Sequence, residues 1–381
     1  MVRVEVKPEL LHWACERAGG DIDILAQRFP KLPAWERGEV QPTFKQLERF
    51  ARVTHTPIGY LFLTEPPVER IPIPDFRTIA NSPIGRPSPD LLDTLYLCQQ
   101  RQEWYRDFAQ SMREEPLSYV GSVRVGDDVV STAALMRRAL VFDIDERQRL
   151  STWTAALRRF IEQADTLGVL VMVSGVVGSN NRRKLDPQEF RGLALVDARA
   201  PLVFINGSDT KAAQMFTLAH ELAHIWIGQS ALSDAQASAA PTQKTERWCN
   251  QVAAELLVPI EAFRAEHERS AELRTELDRL AHVFKVSTLV ILRRMRDARS
   301  LGGEAYWVAY EQELSRLRQL PRSSGGDFYR TLGARAGKRF ARALVMSTLE
   351  GRSSYTEAFR LLGFKKMATF RELGHHLGMM I

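Results

Sequence analysis

Apolar positions recur at helical spacing over most of the chain. Trp153, Ala156, Leu157, Phe160 and Ile161 predict an amphipathic helix over Thr152 to Ala164, and Leu91, Leu92, Leu95, Leu97, Trp104 and Phe108 predict another over Asp90 to Arg113. Near the C-terminus, Ser354-Tyr355-Thr356-Glu357 reads as a capping box ahead of an apolar face formed by Phe359, Leu361, Leu362 and Phe364. Strands are fewer. The run Leu167 to Val173 predicts one buried strand, and Phe190 to Asp197 with Pro201 to Asn206 predict a pair. The stretch Thr210 to Ile227 has no Pro or Gly and is apolar on nearly every side, which predicts a buried helix begun by Asp209 or Thr210 and ended by Gly228. The predicted class is α+β, mostly helical, with a small mixed sheet flanked by helical N- and C-terminal parts.

Inside that apolar helix lies His220-Glu221-Leu222-Ala223-His224. Two imidazoles one turn apart share a face and can grip one zinc ion, with the intervening Glu221 placed to take a proton from zinc-bound water. Two histidines and a glutamate are costly to bury without partners, and zinc is such a partner. A catalytic zinc takes three protein ligands, so a third is sought downstream. The stretch Lys244 to Val258 predicts a second helix closed by Pro259, on which Glu246 and Asn250 share a face. Glu246 could ligate the metal while Asn250 orients a histidine through its other ring nitrogen. Glu255 is the competing carboxylate; it lies about half a turn from the Glu246 face, with a salt bridge to an arginine as its alternative role. Cys249, one turn from Glu246, reads as a small buried residue rather than a ligand. His375 and His376 are adjacent and make a poor metal pair.

The run Phe216 to His224, followed by Glu246 to Asn250 and Ala253 to Pro259, resembles the ImmA/IrrE family of metallopeptidases. The resemblance implies a zincin-like peptidase domain, with Zn2+ held by His220, His224 and Glu246, and Glu221 as general base. It also implies cleavage of a specific regulatory protein, since members of this family often sit beside phage-type repressors or stress regulators. One strand of the 190–206 pair could then be an edge strand that holds substrate backbone. His282 and Arg191 are candidates for stabilising the oxyanion.

Proline density over 65–89 marks an extended linker, and Pro321 to Gly326 a second linker or long turn. These divide the chain into an N-terminal domain (1–66), a linker (67–89), a peptidase domain with its helical lead-in (90–300) and a helical regulatory or interaction domain (301–381). The stretch Leu25 to Pro42, with Leu47 to Ala51, resembles a phage-repressor (XRE-type) helix-turn-helix. Ala26 to Trp35 is about four residues shorter than such domains require for a full turn and recognition helix, and Pro30 and Pro33 stand where that helix should begin. DNA binding and a degenerate docking module both remain open for it. Leu277 to Met295 has similar spacing, but Leu289 to Leu292 are apolar enough to pack against the peptidase domain instead.

Charge sharpens this only a little. The 381 residues are 45% hydrophobic and 26% charged, and the net charge of +6 permits nucleic-acid contact without requiring it. Cys15, Cys98 and Cys249 are too few and too scattered for a disulfide framework. No apolar run reaches the ~18 residues of a membrane helix, and Met1 to Pro8 lacks a signal-peptide core, so the expected compartment is the cytoplasm. The expected partners are a protein substrate and, through the N-terminal module, DNA. The competing reading is a transcriptional regulator or antitoxin-like protein whose zinc site is structural or silent.

Overall fold

The computed structural model describes residues 3–19, 22–76, 78–79, 82–83, 87–233, 243–319 and 333–379. The proposed second linker, Pro321 to Gly326, lies outside the described residues, as does part of the Pro83 to Pro89 stretch. The chain divides into two compact units, Met1–Pro72 with Gly85–Leu95 and Ile73–Ile84 with Tyr96–Ile381. The site residues and the C-terminal 301–381 fall in the same unit.

In the first unit, helices Pro8–Arg17, Ile22–Arg28, Leu32–Glu36 and Phe44–Val53 enclose Leu10, Leu11, Phe29, Trp35, Leu47 and Phe50. Thr43 and Gln46 form a reciprocal capping box at the start of the Phe44–Val53 helix. The expected recognition helix is reduced to the five residues Leu32–Glu36. Pro33 is tolerated there because the first turn has no intrahelical use for its missing N–H. Leu32 and Trp35 are buried in the unit's own core.

The second unit is built on a four-stranded sheet: β1 (Leu170–Ser174), β2 (Gly192–Leu195), β3 (Leu202–Asn206) and β4 (Ala231–Ser233), in spatial order β1-β3-β2-β4. β1 runs parallel to β3, with Val171 opposite Val203. The β2–β3 and β2–β4 pairs are antiparallel, with Ala194 opposite Val203 and Leu193 opposite Leu232. β2, β3 and β4 are buried throughout, which is why they read as short continuous apolar runs rather than alternating ones. The expected strand over 167–173 starts later, because Leu167 ends helix Trp153–Leu167 and Gly168 turns the chain with φ 107°. The expectation that β2 or β3 might be an edge strand is corrected. Both lie inside the sheet, and its edges are β1 and β4.

The helix Lys211–Ile227 packs on β2 and β3, and on its other sides against Trp153–Leu167 and Lys244–Leu257. Being covered on every side explains its all-round apolarity. Thr210 accepts a hydrogen bond from the Ala213 N–H, and Gly228 closes the helix in the left-handed conformation. Helix Lys244–Leu257 packs against Val129–Leu140 as well. Two arginines hold its C-terminal carbonyls: Arg137 donates to the Glu255 carbonyl at 2.6 Å, and the buried Arg147 donates to the Leu257 carbonyl. These are groups that no helix can satisfy internally.

Leu277, Leu280, Val290, Ile291 and Leu292 lie in the same apolar core as the 211–227 helix. On the outer face of the sheet, Lys338–Leu349 packs on β1, and a Cβ at Gly337 would come within 2.8 Å of the Val171 carbonyl oxygen. Arg101 ties the C-terminal helices in by donating to the carbonyls of Leu361 (3.0 Å) and Arg335 (2.8 Å). No described helix is long and apolar enough to cross a membrane.

Glu255 and Arg294 form a buried ion pair that joins Lys244–Leu257 to Thr288–Asp297. Removing one member leaves a buried, unpaired charge. Arg294→Met is therefore expected to destabilise the chain by about 3–5 kcal/mol, and adding Glu255→Gln to restore most of the loss. The comparison is read from urea midpoints of the full-length single and double variants.

Candidate metal centre

The helical repeat brings His220 and His224 to one face, and both rings are fully buried. Their Nε2 atoms stand 3.1 Å apart. Glu246 reaches them from the first turn of its own helix, with Oε2 3.2 Å from His220 Nε2 and Oε1 2.9 Å from His224 Nε2. Among the described residues, these three form the one group of His, Cys, Asp or Glu whose ligand atoms converge, all within 4.8 Å of one another.

Two imidazole nitrogens and a carboxylate, facing each other in a buried space, have fewer protons than acceptor sites, and a cation relieves that conflict. The donor set suits zinc. Two nitrogens bound tetrahedrally at about 2.0–2.1 Å stand roughly 3.3 Å apart, close to the spacing found. The residues therefore fit the ion.

Without a cation the groups lean on each other electrostatically. Burial opposes charge on His220, but Glu246 and Glu221 outweigh it and raise its pKa. Burial lowers His224, with Glu246 opposing. Glu246 is itself buried, yet the two histidines hold its carboxyl well below the usual range. Asn250, one turn along, is buried beside His220 and favours its protonated ring, although no hydrogen bond of ordinary geometry joins them.

Glu221 is fully buried, and neither carboxylate oxygen has a hydrogen-bond partner. Burial pushes its pKa up to about 8, against the pull of His220. The carboxylate lies against β2 because Gly192 has no side chain: a Cβ there would fall 2.8 Å from Glu221 Oε1 and 2.6 Å from Thr217 Cγ2. Ser233 of β4 also lies beside the carboxylate. Sequence reasoning missed Gly192, Ser233 and Phe76. A glycine within a strand signals close approach, so Gly192 was findable. Phe76, whose ring stacks on that of His224 at 5.9 Å and 17°, sits in a proline-rich stretch that carries no such signal.

The other candidates are not part of the converging cluster. Glu255 is paired with Arg294 and accepts from the Ile260 N–H. Arg191 is bound to Asp209 at 2.6 Å. His282 is exposed and packs edge-on against Trp153. Cys249 is buried in the core, and burial raises its thiol well above the usual value.

Residues 164–296 match the family model of the IrrE N-terminal-like domain, Peptidase_M78. The match spans all four strands and every residue of the cluster. It supports an ImmA/IrrE-type family and a metallopeptidase-type function for this IrrE-like segment. Residues 336–376 match a domain of unknown function, DUF8813. No curated protein and no solved structure gives a match.

An unfolded Glu221 loses its proton near 4.5 and the folded one near about 8. Between those values the folded, metal-stripped chain holds a proton that the unfolded chain has lost, so its stability falls as pH rises through that window. Urea unfolding of EDTA-treated protein from pH 5 to 8 should show a slope that Glu221→Gln reduces, and an unchanged slope would refute the burial argument. Gly192→Ala forces Glu221 and Thr217 to shift. It is expected to cost about 1–3 kcal/mol by overpacking, read from the same urea titrations.

Proposed function

We propose that the chain is a zinc-dependent endopeptidase that cleaves a specific regulatory protein, such as a transcriptional repressor, in a stress response or mobile element. The observation that carries this reading is Glu221. It is a buried carboxylate with no hydrogen-bond partner, beside a three-ligand cluster, and a purely structural metal site has no chemical need of it.

His220, His224 and Glu246 would hold the zinc, with Asn250 orienting His220. Bound zinc supplies Lewis acidity, polarising a carbonyl and acidifying water. Glu221 receives the proton of the attacking water and returns it to the leaving amine. Its burial suits that task, since a carboxyl raised toward neutrality both accepts and donates a proton readily. The buried helices around the cluster exclude bulk water and hold Glu221 in place. The regulatory nature of the substrate rests on the ImmA/IrrE resemblance, and DNA contact by the N-terminal unit remains a separate proposal.

The test compares the native chain with Glu221→Gln, each co-expressed with candidate repressors. Both forms should carry one equivalent of zinc, and the variant should cleave about 10²–10⁴-fold more slowly. Zinc in both forms with no partner cut by either would overturn the reading.

A further inference from the structure

β4 is an edge of the sheet, and an edge strand offers unpaired N–H and C=O groups to any extended chain. At Leu232 those groups are already engaged. Its N–H donates to the Pro74 carbonyl at 3.0 Å, and its carbonyl accepts from the Phe76 N–H at 2.9 Å. Asp75 stands opposite Leu232 in a parallel bridge. The same short segment places the Phe76 ring face-on against the imidazole of His224, at 5.9 Å and 17°. One stretch of chain thus uses both the open edge beside the cluster and the face of a candidate metal ligand.

An extended peptide substrate needs the same two things, a backbone edge to pair with and a place for its side chains beside the reacting centre. We propose that Pro74–Phe76 is an internal strand that competes with the peptide substrate for β4 and restrains the site until it is displaced. This rests on the endopeptidase reading above, and it deepens that reading by defining the competitor. The displacing ligand is an extended peptide that exchanges hydrogen bonds with Leu232 and lays a flat apolar side chain on His224.

The segment suits such a role. Pro74 has no N–H to satisfy, and Phe76 contributes a rigid ring with few rotamers to lose. The segment also belongs to the same polypeptide as β4, so it is tethered to the edge it pairs with. A tether raises its effective concentration to the order of mM, and two modest contacts then suffice to keep a free peptide out. Residues 73–76 belong to the stretch assigned from sequence to an extended linker, where their only visible property was proline content.

The probe is a fluorescein-labelled peptide with the sequence of residues Ile71 to Phe76, measured by fluorescence polarisation on the full chain. Phe76→Pro removes both the donor to the Leu232 carbonyl and the ring on His224. This variant should bind the peptide at least tenfold more tightly than the native chain, and Phe76→Ala should show a smaller gain in the same direction. Equal binding by native and variant chains overturns the proposal. Hydrogen exchange on the native chain gives a second reading that needs no variant to fold: the Phe76 and Leu232 amides should both be protected, and free exchange at Phe76 overturns it.

Cleavage of the co-expressed candidate repressors by the zinc-loaded native and Phe76→Pro chains separates this proposal from the endopeptidase reading. If labelled-peptide binding differs but neither chain cuts any of them, the internal strand stands and the endopeptidase reading fails. If both chains cut at the same rate and bind the labelled peptide equally, the endopeptidase reading stands and the internal strand fails. Self-cleavage of the native chain within residues 73–77 would also overturn it, since the segment would then be a substrate.

Discussion

The second unit depends on burying two imidazoles and two carboxylates away from bulk solvent. His220, Glu221, His224 and Glu246 are all buried, and the helix that carries three of them is covered on all sides by apolar neighbours. Unpaired, such groups cost several kcal/mol each, so the interior is acceptable only if they compensate one another or share a cation. The opposed shifts of His220 and Glu246 express that mutual dependence. The surrounding core sets the positions of the ligands, and the ligands in turn require a core rigid enough to keep them converged.

Rigidity comes from fixing both cluster helices at their ends. Thr210 and Gly228 set the register of Lys211–Ile227, and so decide which face meets the sheet. Lys244–Leu257 is held at its far end, where Arg137 and Arg147 take up its last carbonyls and Arg294 pairs with Glu255. Glu246 is at the opposite end, in the first turn. The two glutamates of this helix thus have different tasks. One anchors the helix, and the other is presented by the anchored helix to the histidines.

The sheet supplies the third side. Gly192 lets the Glu221 carboxylate lie against β2 and Ser233 brings β4 beside it, so the candidate base is bounded by strand backbone. That puts the open edge of β4 next to the cluster. The 73–76 segment joins there by the same hydrogen bonds that any extended chain would use. Site and edge are continuous, and a contact on one bears on the other.

Short-range relations were legible in the chain alone. The His220–His224 spacing, the Glu246–Asn250 face, the caps at Thr210, Gly228 and Ser354, and the strand pair at 192–206 follow from helical and strand periods acting within a few residues. The mostly helical α+β class followed from their sum. Which strands are edges, how Glu246 and Glu255 divide their tasks, and that Phe76 lies on His224 all depend on long-range packing. Each of these is a pairing between segments far apart in the chain, and local periodicity carries no information about which distant partner a hydrogen-bonding edge or a charged side chain will meet. The β2–β3 hairpin shows the limit: its pairing was legible in the chain, but its interior position depended on β1 and β4, contributed from either side of it in sequence.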